Sequence, residues 1–67
     1  MSEDFSDKLF GQIAIEKGFI SMDQLAEGLE TQIEEETALG MRRVIGAILI
    51  EKGYMNLLQV QEVVEDM

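Results

Sequence analysis

The chain contains no cysteine, no histidine, no proline and no tryptophan in 67 residues. Without Cys there is no disulfide framework. Without Cys and His together there is neither a thiolate or imidazole metal site nor a Ser/His or Cys/His nucleophile pair. Cations are scarce as well: five Lys and Arg stand against 14 Asp and Glu, a net charge of −9. So acidic a surface repels phosphate backbones and anionic lipid, and nucleic-acid binding needs several cations gathered on one face. No nucleic-acid partner is expected. Long apolar runs are missing too. None approaches the roughly 18 residues that span a bilayer, and Met1-Ser2-Glu3-Asp4 is too acidic to open a signal peptide. The expectation is a cytoplasmic chain with no membrane insertion.

What remains is an apolar fraction of 46% beside 28% charged residues, the balance of a folded chain rather than a disordered one. A chain this short hides only about 60% of the surface its unfolded form exposes. A single domain over residues 1–67 is therefore expected, with a marginal core that favours docking on a partner or forming a homodimer.

The tetrapeptide "IEKG" occurs at Ile15-Glu16-Lys17-Gly18 and again at Ile50-Glu51-Lys52-Gly53. The correspondence extends outward at the same offset of 35, through Gly11 and Gly46, Ile13 and Ile48, Gln24 and Gln59, Glu27 and Glu62, and Glu30 and Glu65. Phe19 and Tyr54, Ile20 and Met55, Ser21 and Asn56, Leu25 and Val60, and Leu29 and Val64 are conservative pairs. A duplication accounts for this: repeat one over 9–32, a linker over 33–43, and repeat two over 44–67.

Each repeat reads as a helix, a glycine corner and a second helix. The segment Lys8 to Lys17 is apolar around most of its circumference, as suits a short helix buried between others. Its counterpart, "VIGAILI", would also pass as a buried strand. Lys17-Gly18 and Lys52-Gly53 decide for the helix, because they put a cation in the last turn and a glycine at the left-handed cap. Ser21-Met22-Asp23-Gln24 fits a capping box, with Ile20 and Leu25 at the spacing of a hydrophobic staple; Asn56, Gln59, Met55 and Val60 repeat the device. Met22, Leu25, Leu29 and Ile33 then form an apolar stripe on a helix that runs to Leu39 with Gly40 as its terminator. Leu57, Val60, Val64 and Met67 form the matching stripe. Gly28 costs a helix interior roughly 1 kcal/mol against Ala, which close approach of another helix would offset. Met22 and Met55 fall at staple or core positions, where thioethers fill gaps; an exposed Met-rich docking surface is the other reading. The predicted fold is all-α: a compact four-helix domain of two helical hairpins related by a pseudo-twofold axis, each covering the apolar faces of the other.

The stretches "LFGQIAIEKGFISMDQLAEGLETQ" and "VIGAILIEKGYMNLLQVQEVVEDM" resemble the tandem motif of the N-terminal domain of type II secretion and type IV pilus assembly ATPases. Similar domains occur in other bacterial signalling and regulatory proteins. That motif runs Arg-Leu-Gly, an apolar pair, a glycine, two spaced leucines and a closing Gln. In members that bind cyclic di-GMP, its arginine and nearby backbone hold the dinucleotide while apolar side chains pack on the bases. Carried over, the resemblance assigns ligand-binding positions to Leu9, Phe10, Gly11, Leu25, Leu29 and Gln32 in the first copy. In the second it assigns them to Val44, Ile45, Gly46, Val60 and Val64, with Met67 in place of the glutamine. The motif arginine has become Leu9 and Val44, and neither supplies the planar fork of donors that grips phosphate or a guanine edge. Arg42 and Arg43 precede the second motif position by two residues and one, and at about 100° of helix rotation per residue they would need another backbone setting to replace it. This local basic pair either holds one anionic group or neutralises nearby glutamates.

Two function classes follow. The first is a non-enzymatic protein-interaction module that docks on a secretion, pilus, motility or signalling component. Glu34-Glu35-Glu36 opposite Arg42-Arg43 then forms either a charged edge for a basic partner or a solvated helix end. The second is a cyclic di-GMP sensor with a degenerate motif. Catalysis ranks below both. Carboxylate pairs such as Glu27 and Glu30 fit surface charges at helical spacing, and no Gly-x-x-x-x-Gly-Lys-Ser/Thr is present to bind and hydrolyse a nucleotide. No cofactor is expected.

Overall fold

The apolar run that could have been a strand is a helix. The computed structural model describes residues 2–67, with side chains from Ser6 onward; Met1 lies outside the described residues. It shows a compact bundle of four helices: α1 (Ser2–Glu16), α2 (Met22–Leu39), α3 (Ile45–Glu51) and α4 (Leu57–Glu65). No strand occurs among the described residues. Among them, too, no helix is long and apolar enough to cross a membrane.

Local chemistry sets the helix ends. After α1 the Gly18 N–H donates to the Ile15 carbonyl and the Phe19 N–H to the Ala14 carbonyl, at 2.9 and 3.0 Å. After α3 the Gly53 N–H donates to Ile50 and the Tyr54 N–H to Leu49, both at 2.9 Å. This is the paired bonding of a Schellman cap, which requires a left-handed residue; Gly18 and Gly53 supply it at φ 79° and 83°. Both following helices open with a complete capping box. The Gln24 N–H donates to Ser21 Oγ at 3.2 Å and the Ser21 N–H to Gln24 Oε1 at 3.0 Å. Asn56 and Gln59 exchange the same two bonds at 2.8 and 3.0 Å. Gly40 ends α2 in the left-handed region, as its sequence predicts.

Helix α1 begins at Ser2, not at Lys8 as the apolar pattern alone suggests.

The principal pairings join the two units. Helix α2 packs on α3, α1 packs on α4, and α1 also packs on α3. Phe10, Ala14, Ile20, Ile45, Leu49, Met55 and Val63 make one buried cluster. Gly28 is buried in it, where a Cβ would stand 3.0 Å from Ile45 Cδ1 and 3.1 Å from Leu49 Cδ2. Close approach to α3 is what this glycine provides.

The two predicted stripes need correction. On α2 the core-facing residues are Leu25, Gly28, Leu29 and Gln32, while Met22 and Ile33 are exposed. The cause is length: α3 has 7 residues and α2 has 18, so at 1.5 Å per residue the partner covers only the middle of α2. Met22 is 71% exposed and fills no core gap, whereas Met55 does. On α4 the fully buried residue is Val63, with Val60 half-buried; Leu57, Val64 and Met67 face outward. Helix α4 is covered mainly on the side that meets α1.

Candidate functional site

Among the described residues, hollows lie at the junctions of these helices, and two of them bear on the assigned positions. The first, about 240 Å³, is enclosed by Ser6, Asp7 and Phe10 of α1, by Val44 to Ala47 at the start of α3, and by Val60, Val64 and Met67 along α4. The second, about 340 Å³, is bounded by Asp7, Lys8, Leu29, Gln32, Ile33, Glu36 and Arg42. Asp7 borders both.

The assigned positions therefore divide. Val44, Ile45, Gly46, Val60 and Val64 converge on the first hollow together with Phe10, which comes from the other repeat. Leu29, Gln32 and Arg42 border the second. Leu9, Gly11, Leu25 and Arg43 line neither. Gly11 instead receives Leu25, whose Cδ atoms would stand 2.6 and 2.7 Å from a Cβ there. At Gly46 the fit is looser, a Cβ standing 3.2 Å from Phe10 Cζ and 3.5 Å from Val60 Cγ1. Ser6, Asp7, Ala47, Lys8, Ile33 and Glu36 are lining residues that motif positions do not indicate. Asp7 had a signal in the sequence, because it stands 35 positions before Arg42 with the opposite charge.

The polar groups here bond to one another. Gln32 is only 6% exposed, and its Nε2 donates to Asp7 Oδ2 at 2.8 Å and to the Arg43 carbonyl at 2.7 Å. It ties α2 to α1 and to the loop before α3. Arg42 donates to both carboxylate oxygens of Glu36 at 3.2 Å and reaches Asp7 Oδ2 at 3.4 Å. Arg43 grips Glu35 through two bonds, Nε to Oε1 at 2.9 Å and Nη2 to Oε2 at 2.6 Å, and also meets Glu51 at 2.7 Å. The hydrogen bond to Glu35, and then that to Glu51, drives the guanidinium further into its charged form. The reciprocal bond holds the Glu35 carboxyl below its usual value. The arginine pair thus neutralises nearby carboxylates, Glu35 and Glu36 together with Asp7 and Glu51.

Elsewhere, Lys17 Nζ pairs with Asp66 at 2.7 Å, a bond that raises the lysine pKa. Glu27 accepts from the Tyr54 hydroxyl at 2.8 Å and lies 3.6 Å from Lys52 Nζ. Among the described residues no cluster of three or more acidic side chains is placed to hold a metal ion. Compared with protein-family models, curated proteins and solved structures, the chain gives no significant match in any of the three.

Proposed function

We propose that this chain is a non-enzymatic interaction or regulatory module that docks on a protein partner in the bacterial cytoplasm. The resemblance to the N-terminal domain of secretion and pilus assembly ATPases places that partner among secretion, pilus, motility or signalling components. The two units act as equivalent halves about a pseudo-twofold axis: their glycine caps and capping boxes coincide, and the helix pairings map onto themselves when the repeats are exchanged.

One observation carries the reading. The hollow that gathers the second copy's motif positions is walled by aliphatic side chains, Val44 and Val64 being 69% and 55% exposed. Apolar surface of this kind is suited to protein contact. The cyclic di-GMP reading lacks its cations, because Leu9 and Val44 stand at the arginine positions while Arg42 and Arg43 hold carboxylates.

Calorimetry with cyclic di-GMP at low salt, beside capture from a bacterial lysate on the immobilised chain, tests the choice. The expected result is no heat with the dinucleotide and saturable retention of a protein. Heat at micromolar dinucleotide that disappears in Arg43→Ala would replace the module with a sensor.

A further inference from the structure

We infer that the hollow between α1, α3 and α4 is a docking groove for a short amphipathic helix of a partner protein, with aliphatic anchors flanked by Lys or Arg. This rests on the reading of the chain as an interaction module, and it adds the surface and the chemistry of the partner.

Phe10 forms the floor, and Val44, Ala47, Val60, Val64 and Met67 form the walls. The carboxylate of Asp7 at one end already accepts from Gln32 and Arg42. A small-molecule pocket commonly encloses about 300–1,000 Å³ with a few convergent polar groups. At about 240 Å³ and walled by aliphatic groups, this groove suits the side chains of a docking protein better. The apolar line continues beyond it, because Leu57 is exposed on α4 in register with Val64 and Met67. From Leu57 to Met67 is about 15 Å at the rise of an α-helix. That length accepts anchors at positions i, i+4 and i+7 of a facing helix, which span about 10 Å.

Charge selects among helices. Lys17, Arg42, Arg43 and Lys52, four of the five cations, are ion-paired within the fold. Along α4, Glu62 and Glu65 are exposed as well, and among the described residues Asp7 is the one charged residue that lines the groove. Flanking cations on the incoming helix would be drawn by the net charge of −9. A second copy would bring another net −9, so the complementary occupant is a basic helix rather than this chain itself.

The test uses a synthetic helical peptide of about four turns, with Leu at i, i+4 and i+7 and Lys on either side. One control scatters the leucines around the helix at constant composition, and another replaces each Lys by Glu. By calorimetry at low salt, the patterned peptide is expected to bind at least about tenfold more tightly than either control. Val64→Asp and Val44→Asp, both at exposed positions, should each weaken it by about tenfold or more with the helical circular dichroism unchanged. Met22→Asp, which does not line the groove, should leave it intact. Equal binding of the scattered peptide, or indifference to Val64→Asp, overturns the proposal. So does a dimer in sedimentation that Val64→Asp dissolves, which would make a second copy the occupant. Failure of the groove stays distinct from failure of the module. A lysate protein captured equally by wild type and Val64→Asp rejects this surface alone, whereas no capture by wild type rejects the module.

Discussion

Gly28 of α2 leaves the space that Leu49 of α3 fills, with 3.1 Å separating a Cβ built on the glycine from Leu49 Cδ2. At an offset of 35 in the sequence, Val63 corresponds to Gly28 and Ala14 to Leu49, and both are fully buried. Where α2 meets α3, the larger side chain comes from the short helix α3. Volume is exchanged between facing helices, which close packing tolerates better than a change in its total.

Copying one interface onto the other is a direct test. Gly28→Val alone should overpack, costing about 1–3 kcal/mol, and Leu49→Ala alone should cost about 2–5 kcal/mol through the cavity it leaves. Combined, the valine on α2 enters the space that Leu49 vacates, so the double variant should be more stable than the sum implies by about 1–3 kcal/mol. Urea denaturation of the four proteins measures that coupling. Strict additivity would mean the two sites do not share one space.

Fold and site differ in how openly the sequence carries them. Helix ends are local chemistry: Ser21 with Gln24, Asn56 with Gln59, and glycines at 18, 40 and 53 act on backbone groups within a few positions. All five devices are present in the structure. Which face of a helix is buried depends instead on how far its neighbour extends. Periodicity alone placed Met22, Ile33 and Val64 inward, where α3 and α1 leave them uncovered. The site shows the same division. Val44, Ile45, Gly46, Val60 and Val64 are brought together because one hairpin carries them. Asp7 joins them only because α1 crosses from the other repeat.

The caps after α1 and α3 should respond alike. Nothing lies within 4 Å of a Cβ built on Gly18 or Gly53, so a substitution there meets only the backbone penalty. Ala at either position should cost about 1–2 kcal/mol, the price of a left-handed conformation for an L-residue. D-alanine, introduced by chemical synthesis, fits that conformation and should stabilise by restricting the unfolded chain. Equal tolerance of L- and D-alanine in thermal unfolding would show that these glycines serve another purpose.

Gln32 is the buried polar tie. Gln32→Leu removes the donor from the Arg43 carbonyl and from Asp7, and should cost about 1–3 kcal/mol. Amide exchange in the loop before α3 should quicken with it. Gln32→Glu puts a carboxylate against Asp7 Oδ2, so its folded-state pKa should rise. That variant should approach wild-type stability at acid pH and lose it as pH rises through the raised value. A parallel response of Gln32→Glu and wild type to pH would place the amide outside this network.

Tyr54 offers a site-specific reading of electrostatics, because it is the chain's one tyrosine and no tryptophan overlaps its absorbance. Its hydroxyl donates to Glu27 Oε1 at 2.8 Å. Ionisation would lose that bond and set two negative charges side by side, so the phenol is raised above its ordinary value of 10.0, with the hydrogen bond to Glu27 as the largest cause. A group raised on folding stabilises the native state below its unfolded pKa, and that contribution disappears as pH climbs through the folded value. Native protein should therefore show a phenolate transition above pH 10.0, and stability should decline across the same range. Glu27→Gln should move the transition back toward the ordinary value, and Tyr54→Phe should lessen the alkaline loss of stability. An absorbance titration in which wild type and Glu27→Gln coincide would mean that the bond between α2 and the corner after α3 does not persist in solution.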